Sequence, residues 1–350
     1  MNLADRPPFP VPMPENHSFY YFMTESPSLA RPEADPEELT LSWDSCVSRT
    51  LVHRNAVAEV LLTDARALPD GRFLLAAQWP RSYATSATSD IASTSTSGSG
   101  SGSGSCSGER HDPMLAAETI RQVGLYICQR FLGAPSTSRP VIRSVGFQLD
   151  NSAEPVVGYG ATDVLCRAEV HDVRHVDAVP WPVALNVRIQ FSAAGREFGS
   201  AFGRVRVLSE EEYETFRGPN AAAGPVADNV HRRPSHIEVS VPSPGDVMLV
   251  RDPSGMLLVA PADLRHPRFF DHPSDHVPGM VLLEAARQAA CLAGAAPGRL
   301  NGCHMQALRF TEWNAPVHVE CAPAGDGWAF QITQGGDTTA SGTLSFAAKG

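Results

Sequence analysis

Apolar and polar positions alternate with a period near two along most of this chain and turn helical in only two long stretches. VIRSVGFQLD (141–150), DVLCRAEVHDV (163–173), PVALNVRIQFSAAG (182–195) and EFGSAFGRVRVL (197–208) read as strands joined by turn-rich connections. Ahead of them, LVHRNAVAEVLLTDARAL (51–68) and RFLLAAQWP (72–80) flank Pro69-Asp70-Gly71, a hairpin signature. Between the hairpin and the strands, DPMLAAETIRQVGLYICQRFLG (112–133) has the period of an amphipathic helix. Asp112 suits its cap, Pro113 its first turn and Gly133 its end. The order then recurs. VMLVRD and GMLLVAP are short strands, and a helix follows Pro278-Gly279 with Met280, Leu283, Ala286 and Ala290 on one face. GCHMQALRFTEW, PVHVECAP, WAFQITQGG and TTASGTLSFAA close the chain as strands.

The two helices share M-x-x-x-E-x-x-R-Q: Met114, Glu118, Arg121 and Gln122 in the first, Met280, Glu284, Arg287 and Gln288 in the second. One long helix with an antiparallel sheet, made twice, points to an α+β protein in which each sheet wraps around a central helix: a tandem double hotdog. On this reading residues 1–45 are a Pro-rich, acidic N-terminal arm with little regular structure. Residues 46–208 are the first hotdog domain, interrupted by a flexible Ser/Gly-rich insertion at 84–108. Residues 209–244 are a polar, irregular linker, and 245–350 the second hotdog domain.

Composition narrows the function classes. The 350 residues are 43% hydrophobic, enough for a core, and the net charge of −10 argues against a nucleic-acid partner. Seven cysteines at irregular spacing, without CxxC, indicate neither a disulfide framework nor a structural zinc site. The Pro-rich start lacks the basic and apolar regions of a signal peptide, and no apolar run is long enough to span a membrane. The chain is expected to be cytoplasmic, as a monomer whose halves form a pseudo-dimer or as a homodimer.

PGMVLLEAARQA resembles the central-helix motif of hotdog acyl-carrier-protein dehydratases, with Glu284 at their carboxylate position. His272, however, lies six residues before Pro278 where dehydratases place it eight before, so dehydration is not the chemistry implied. The fuller resemblance is to the A-factor biosynthesis (AfsA-type) family of γ-butyrolactone synthases. It is carried by VHRNAVAEVLLTD (52–64), AAQWPRSY (76–83), DPMLAAETIRQVGL (112–125) and FFDHPSDHVPGMVLLEAARQAA (269–290), which span both halves in order. Tyr83 stands where that family usually has His, and the insertion at 84–108 is longer than usual. The resemblance implies a double hotdog and an acyltransferase. A β-ketoacyl group, carried as a thioester on acyl carrier protein, is joined to the hydroxyl of dihydroxyacetone phosphate. The ester then cyclises toward a butenolide phosphate on the way to a diffusible signal.

Such a reaction needs a base near the hydroxyl, donors for the thioester oxyanion and a cation for the phosphate. Glu284, a carboxylate on an apolar helix where burial raises its pKa, is the candidate base. The N–H groups of Gly279 and Met280 at the helix start are candidate oxyanion donors, and Arg287 or Arg121 a phosphate ligand. His276 or His272 is a candidate proton shuttle to the leaving thiolate. Glu118 with Arg121 forms the matching pair of the first half, Gln288 and Gln122 follow the two arginines, and Trp79 is a candidate wall of the acyl channel.

Each assignment has a structural alternative. Glu-x-x-Arg at i,i+3 forms an ion pair or an arginine clamp on backbone carbonyls. Asp-His-Pro-Ser-Asp is turn-forming, His53-Arg54 suits a surface turn as well as a substrate entrance, and Trp79 suits a core. Metal binding by His272 and His276 is not favoured. No Gly-rich phosphate loop, nucleophile elbow or dinucleotide fingerprint occurs, so no cofactor is expected. The rival functions are a hotdog acyl thioesterase or dehydratase, and a non-catalytic acyl or lactone binding protein.

Overall fold

The computed structural model describes residues 40–85, 109–295 and 298–347. The expected N-terminal arm and the Ser/Gly-rich insertion lie largely outside them. Strands β1 (Leu62–Ala67), β2 (Arg72–Trp79), β3 (Arg139–Leu149), β4 (Thr162–Arg174), β5 (Ala184–Ala193) and β6 (Arg196–Leu208) belong to the first half. Strands β7 (Leu249–Arg251), β8 (Leu257–Val259), β9 (Leu300–Ala307), β10 (Val317–Ala324), β11 (Gly327–Gln334) and β12 (Asp337–Phe346) belong to the second. All twelve form one antiparallel sheet in the order β1-β2-β4-β5-β6-β3-β9-β12-β11-β10-β8-β7. Read outward from the centre, the two sides have the same order, so the duplication seen in the sequence is a pseudo-twofold of topology. Helix α1 (Met114–Tyr126) packs on β1, β2, β3, β5 and β6, and α3 (Gly279–Ala290) on β7 to β11. Each half is a sheet around its own central helix, which makes the chain a double hotdog.

Both helices are apolar because they are enclosed. All but one residue of α1 is buried, as are most of α3. Asp112 caps α1 as expected: its carboxylate accepts from the Met114 N–H at 2.9 Å. Gly133, at φ 76°, ends the stretch after a π-helical turn over Ile127–Phe131. Pro69–Gly71 makes the β1–β2 turn, with Asp70 and Gly71 both at positive φ.

Two expectations are corrected. Residues 51–59 look strand-like but form 3₁₀ turns (Arg49–Val52 and Val57–Glu59), and the strand begins only at Leu62. The carbonyls of Val52 and Glu59 are taken by side chains of α1, so a ladder is not their partner. The segment after β6 is not wholly irregular. Ser209 and Glu212 form a reciprocal capping box that opens helix α2 (Glu210–Arg217). Its Arg217, 3% exposed, ion-pairs with Asp275 and Glu312 of the second half. Among the described residues no helix is long and apolar enough to cross a membrane.

The halves are joined where β3 pairs with β9, Ser144 opposite Gln306 through Gln148 opposite Gly302. A Cβ on Gly146 there would sit 2.6 Å from the Cys303 carbonyl and 2.5 Å from the Phe202 ring. Gly146→Ala is expected to destabilise the protein by about 1–3 kcal/mol through overpacking. A lowered thermal unfolding midpoint would show it, and an unchanged midpoint would mean the seam yields.

Candidate active site

The repeated Glu-x-x-Arg-Gln does the same structural job twice. In α1, Arg121 donates from Nε and Nη2 to the two oxygens of Glu118, both at 2.8 Å, and Gln122 donates to Oε1 at 2.6 Å. In α3, Arg287 donates to Glu284 at 2.9 and 2.6 Å, and Gln288 at 2.8 Å. Each arginine reaches on to a backbone carbonyl, Val52 at 3.2 Å or Val239 at 3.3 Å. Each glutamine amide brackets the segment entering its first strand. Gln122 donates to Glu59 O and accepts from Leu61 N; Gln288 donates to Asp246 O and accepts from Met248 N. The helix thereby supplies hydrogen bonds that the irregular backbone lacks.

The halves differ just past the arginine-held carbonyls. Val52 and Val239 are each followed by a residue in the left-handed region, His53 at φ 50° and Ser240 at φ 53°. Next come Arg54 in one half and Val241 in the other. Arg54, 6% exposed, adds a second guanidinium to Glu118, with Nη2 at 2.7 Å and Nε at 3.2 Å. Its Nη1 donates to the Arg268 carbonyl at 3.0 Å. Burial alone raises the pKa of Glu118; Arg121 and Arg54 outweigh it and hold the carboxyl at about 2.

A cavity of about 1080 Å³ opens on this side, walled by both halves. The first half contributes His53, Arg54, Glu118 and Arg121; the second contributes Arg268, His272, His276, Gly279 and Met280. Ile120, Val141, Val205, Phe269, Leu282 and Met305 supply an apolar wall. Arg143 and Arg206, both exposed, have no ion-pair partner among the described residues. The second-half loop is tied down across the pseudo-dyad, because the Asp271 carboxylate accepts from the Asn55 and Ala56 N–H groups. His276 bonds Asp275 at 2.7 Å and packs edge-on to Phe310. Asp275 is itself held by Arg217 and Tyr213. The start of α3 differs from that of α1: Pro278 precedes it and no side chain caps it, so the Gly279 and Met280 amides face the cavity region uncapped. Burial, then Arg121, His272 and Arg139, push the His53 imidazole down to about 4. Burial, followed by Arg121 and Arg54, lowers His272 as well.

Of the residues singled out from the sequence, Glu118, Arg121, His272, His276, Gly279 and Met280 come together on this cavity. Glu284, Arg287, Gln288, Gln122 and Trp79 do not line it. Glu284 has both oxygens engaged by Arg287 and Gln288 of its own helix, the ion pair its spacing allows. At Glu118 the paired arginines reverse the upward effect of burial on the carboxyl. Trp79 is wholly buried, its Nε1 donating to Thr119 Oγ1 at 2.9 Å among Phe191, Phe198 and His111. Sequence reasoning missed Asp271 and Arg268 as the link between halves and Arg54 as the partner of Glu118. The Ser-x-x-Glu box at 209–212 was a readable signal for α2, whereas nothing in the sequence pairs residue 54 with residue 118.

The pKa shifts fix the sign of an acid response. The His53 imidazole refuses a proton that the unfolded chain accepts, so stability declines as pH falls from 6.5 toward 4. The contribution of Glu118 is fully present above pH 4.5 and is lost as pH falls toward 2. Denaturant unfolding across this range should show both losses. Glu118→Gln should remove the lower one and, by leaving two buried guanidinium groups unpaired, cost about 3–5 kcal/mol at pH 7.

The family model described as the A-factor biosynthesis hotdog domain matches residues 41–209 and 244–347. A 2-oxo-3-(phosphooxy)propyl 3-oxoalkanoate synthase from Streptomyces virginiae is 33% identical over 315 residues, covering 84% of this chain and 95% of that one. A synthase of the same name from Streptomyces coelicolor is 29% identical over 225 residues, 61% of this chain and 67% of that one. Among solved structures, a putative thioesterase from Novosphingobium aromaticivorans aligns with a TM-score of 0.42 and 12% identity, over 82% of this chain and 98% of that one. With both halves matched in order, the chain belongs to the A-factor biosynthesis hotdog family.

Proposed function

We propose that this chain is a 2-oxo-3-(phosphooxy)propyl 3-oxoalkanoate synthase. It transfers a β-ketoacyl group from a thioester on acyl carrier protein to the hydroxyl of dihydroxyacetone phosphate. The observation that carries this reading beyond the family match is the composite cavity, where an apolar wall, an uncapped helix start and an arginine cluster meet. The acyl chain lies along Ile120, Val205, Leu282 and Met305. The thioester oxygen is held by the Gly279 and Met280 amides, which stabilise the negative charge that builds during attack. Arg121 binds the phosphate. Its Nε and Nη2 are engaged by Glu118, and its Nη1 has no partner among the described residues. Glu118 acts as an anchor for that guanidinium, because both of its oxygens are already engaged by Arg121, Arg54 and Gln122. His276, oriented by Asp275, donates a proton to the departing sulfur. Glu284, Arg287 and Gln288 hold the second helix to its sheet.

Mass spectrometry of the protein mixed with a β-ketoacyl-carrier thioester and dihydroxyacetone phosphate tests the reaction. The ester or its butenolide phosphate is expected. Free β-keto acid formed without the phosphate compound would reassign the chain to a thioesterase, and no consumption of thioester would make it a binding protein. Two variants test the roles. Arg121→Ala should raise KM for dihydroxyacetone phosphate by about tenfold or more, as loss of a charge-assisted contact does. At Gly279 a Cβ would meet only Met305 Cε at 3.5 Å, an ordinary contact. Gly279→Ala should therefore fold normally yet lower kcat if the thioester must approach that amide closely; an unchanged kcat would move the oxyanion site elsewhere.

A further inference from the structure

Comparison of the two halves separates what the fold needs from what it does not. In both, an arginine of the central helix holds the carbonyl of a fully buried valine, and the next residue is left-handed. Non-glycine residues adopt that conformation uncommonly. Ser240 takes it as readily as His53, so the turn does not require an imidazole. The half with histidine presents it to the cavity beside Arg54, Arg121 and His272. The mechanism above also leaves one place unfilled, a group to accept the proton of the attacking hydroxyl.

We propose that His53 is that group, the general base of the acyl transfer; this rests on the synthase reading of the same cavity. The ring is pinned by the Gln129 side-chain amide, 2.9 Å from Nε2. As placed, the Gln129 amide nitrogen faces Nε2; turning the amide over puts its oxygen there, so that Nε2–H is donated to Gln129 and Nδ1 keeps its lone pair for substrate. The same turn of the amide gives Gln129 Oε1, otherwise buried without a partner, a hydrogen bond. Burial, then Arg121, His272 and Arg139, keep the ring neutral and in acceptor form at physiological pH; they also weaken it as a base, and a substrate phosphate on Arg121 offsets the cationic part of that effect. In the step itself, the hydroxyl proton passes to His53 as the oxygen bonds to the thioester carbon. The C–S bond breaks, the thiolate takes a proton from His276, the proton on His53 is released to solvent, and His276 takes one back from solvent. One alcohol and one thioester give one ester and one thiol.

His53→Gly keeps the positive φ and opens space for free imidazole, and His53→Asn keeps a side chain that tolerates the left-handed turn. Rates of ester formation are measured for both beside wild type, with KM for dihydroxyacetone phosphate and thermal midpoints. A fall in kcat of about a hundredfold or more is expected, with KM and midpoint near wild type and partial recovery of His53→Gly by added imidazole. Asn variant activity within about threefold of wild type, or a loss seen only in KM, overturns the base assignment while leaving the synthase reading intact. A wild type that forms no ester overturns the synthase reading, and the assignment of His53 with it.

Discussion

A carboxylate buried on an apolar helix has to be answered by hydrogen bonds and a cation, and in this protein the answer organises everything around it. Glu118 and Glu284 are each gripped by the arginine and glutamine that follow them, and those residues carry the grip onward to backbone of a neighbouring segment. The pairing does not add much net stability in itself, since desolvation opposes the Coulomb attraction. Its effect is positional. It sets the helix against its sheet and fixes a left-handed turn at one point of each half, and that turn decides which side chain stands next to the cavity.

Much of the architecture was legible as period and punctuation. Two helical stretches with a common M-x-x-x-E-x-x-R-Q, each among period-two runs, suffice to imply two sheets around two helices. Asp112, Pro69-Asp70-Gly71 and Gly133 behave as their chemistry suggests. The misreadings have a common physical origin. Residues 51–59 have strand-like composition, but their carbonyls are claimed by side chains more than sixty residues away. The repeated motif has the same kind of explanation. Repetition of Glu-x-x-Arg-Gln looked like repetition of chemistry, yet what recurs is the structural grip. His53 and Arg54 are readable as a candidate entrance, but their contrast with Ser240 and Val241 becomes visible only when contacts across the chain superimpose one half on the other.

The composite cavity follows from the same geometry. The start of α3 and the flank of α1 both line the cavity, so α3 offers a helix start that no side chain caps where α1 offers charged side chains. The chain is acidic overall, but its cations here are arginines, whose planar donors suit both carboxylate anchors and phosphate. Asp271, by accepting from Asn55 and Ala56, makes the second-half loop part of the first-half site. The single sheet through β3 and β9 then holds the two contributors in one frame.

Asp112 closes off the start of α1, and this has a bearing on how long each connection can be. The stretch from β8 to α3 carries Arg268, Asp271, His272 and His276, so its length is constrained by what it must reach. Its counterpart from β2 to α1 delivers the chain to a helix start that is already capped, and it is there that the Ser/Gly tract of 84–108 is inserted. Loop closure grows only logarithmically, about 0.6 kcal/mol for each doubling of length. A long tract in the connection from β2 to α1 is therefore cheap to close, whereas the stretch from β8 to α3 has four residues to set at or beside the cavity.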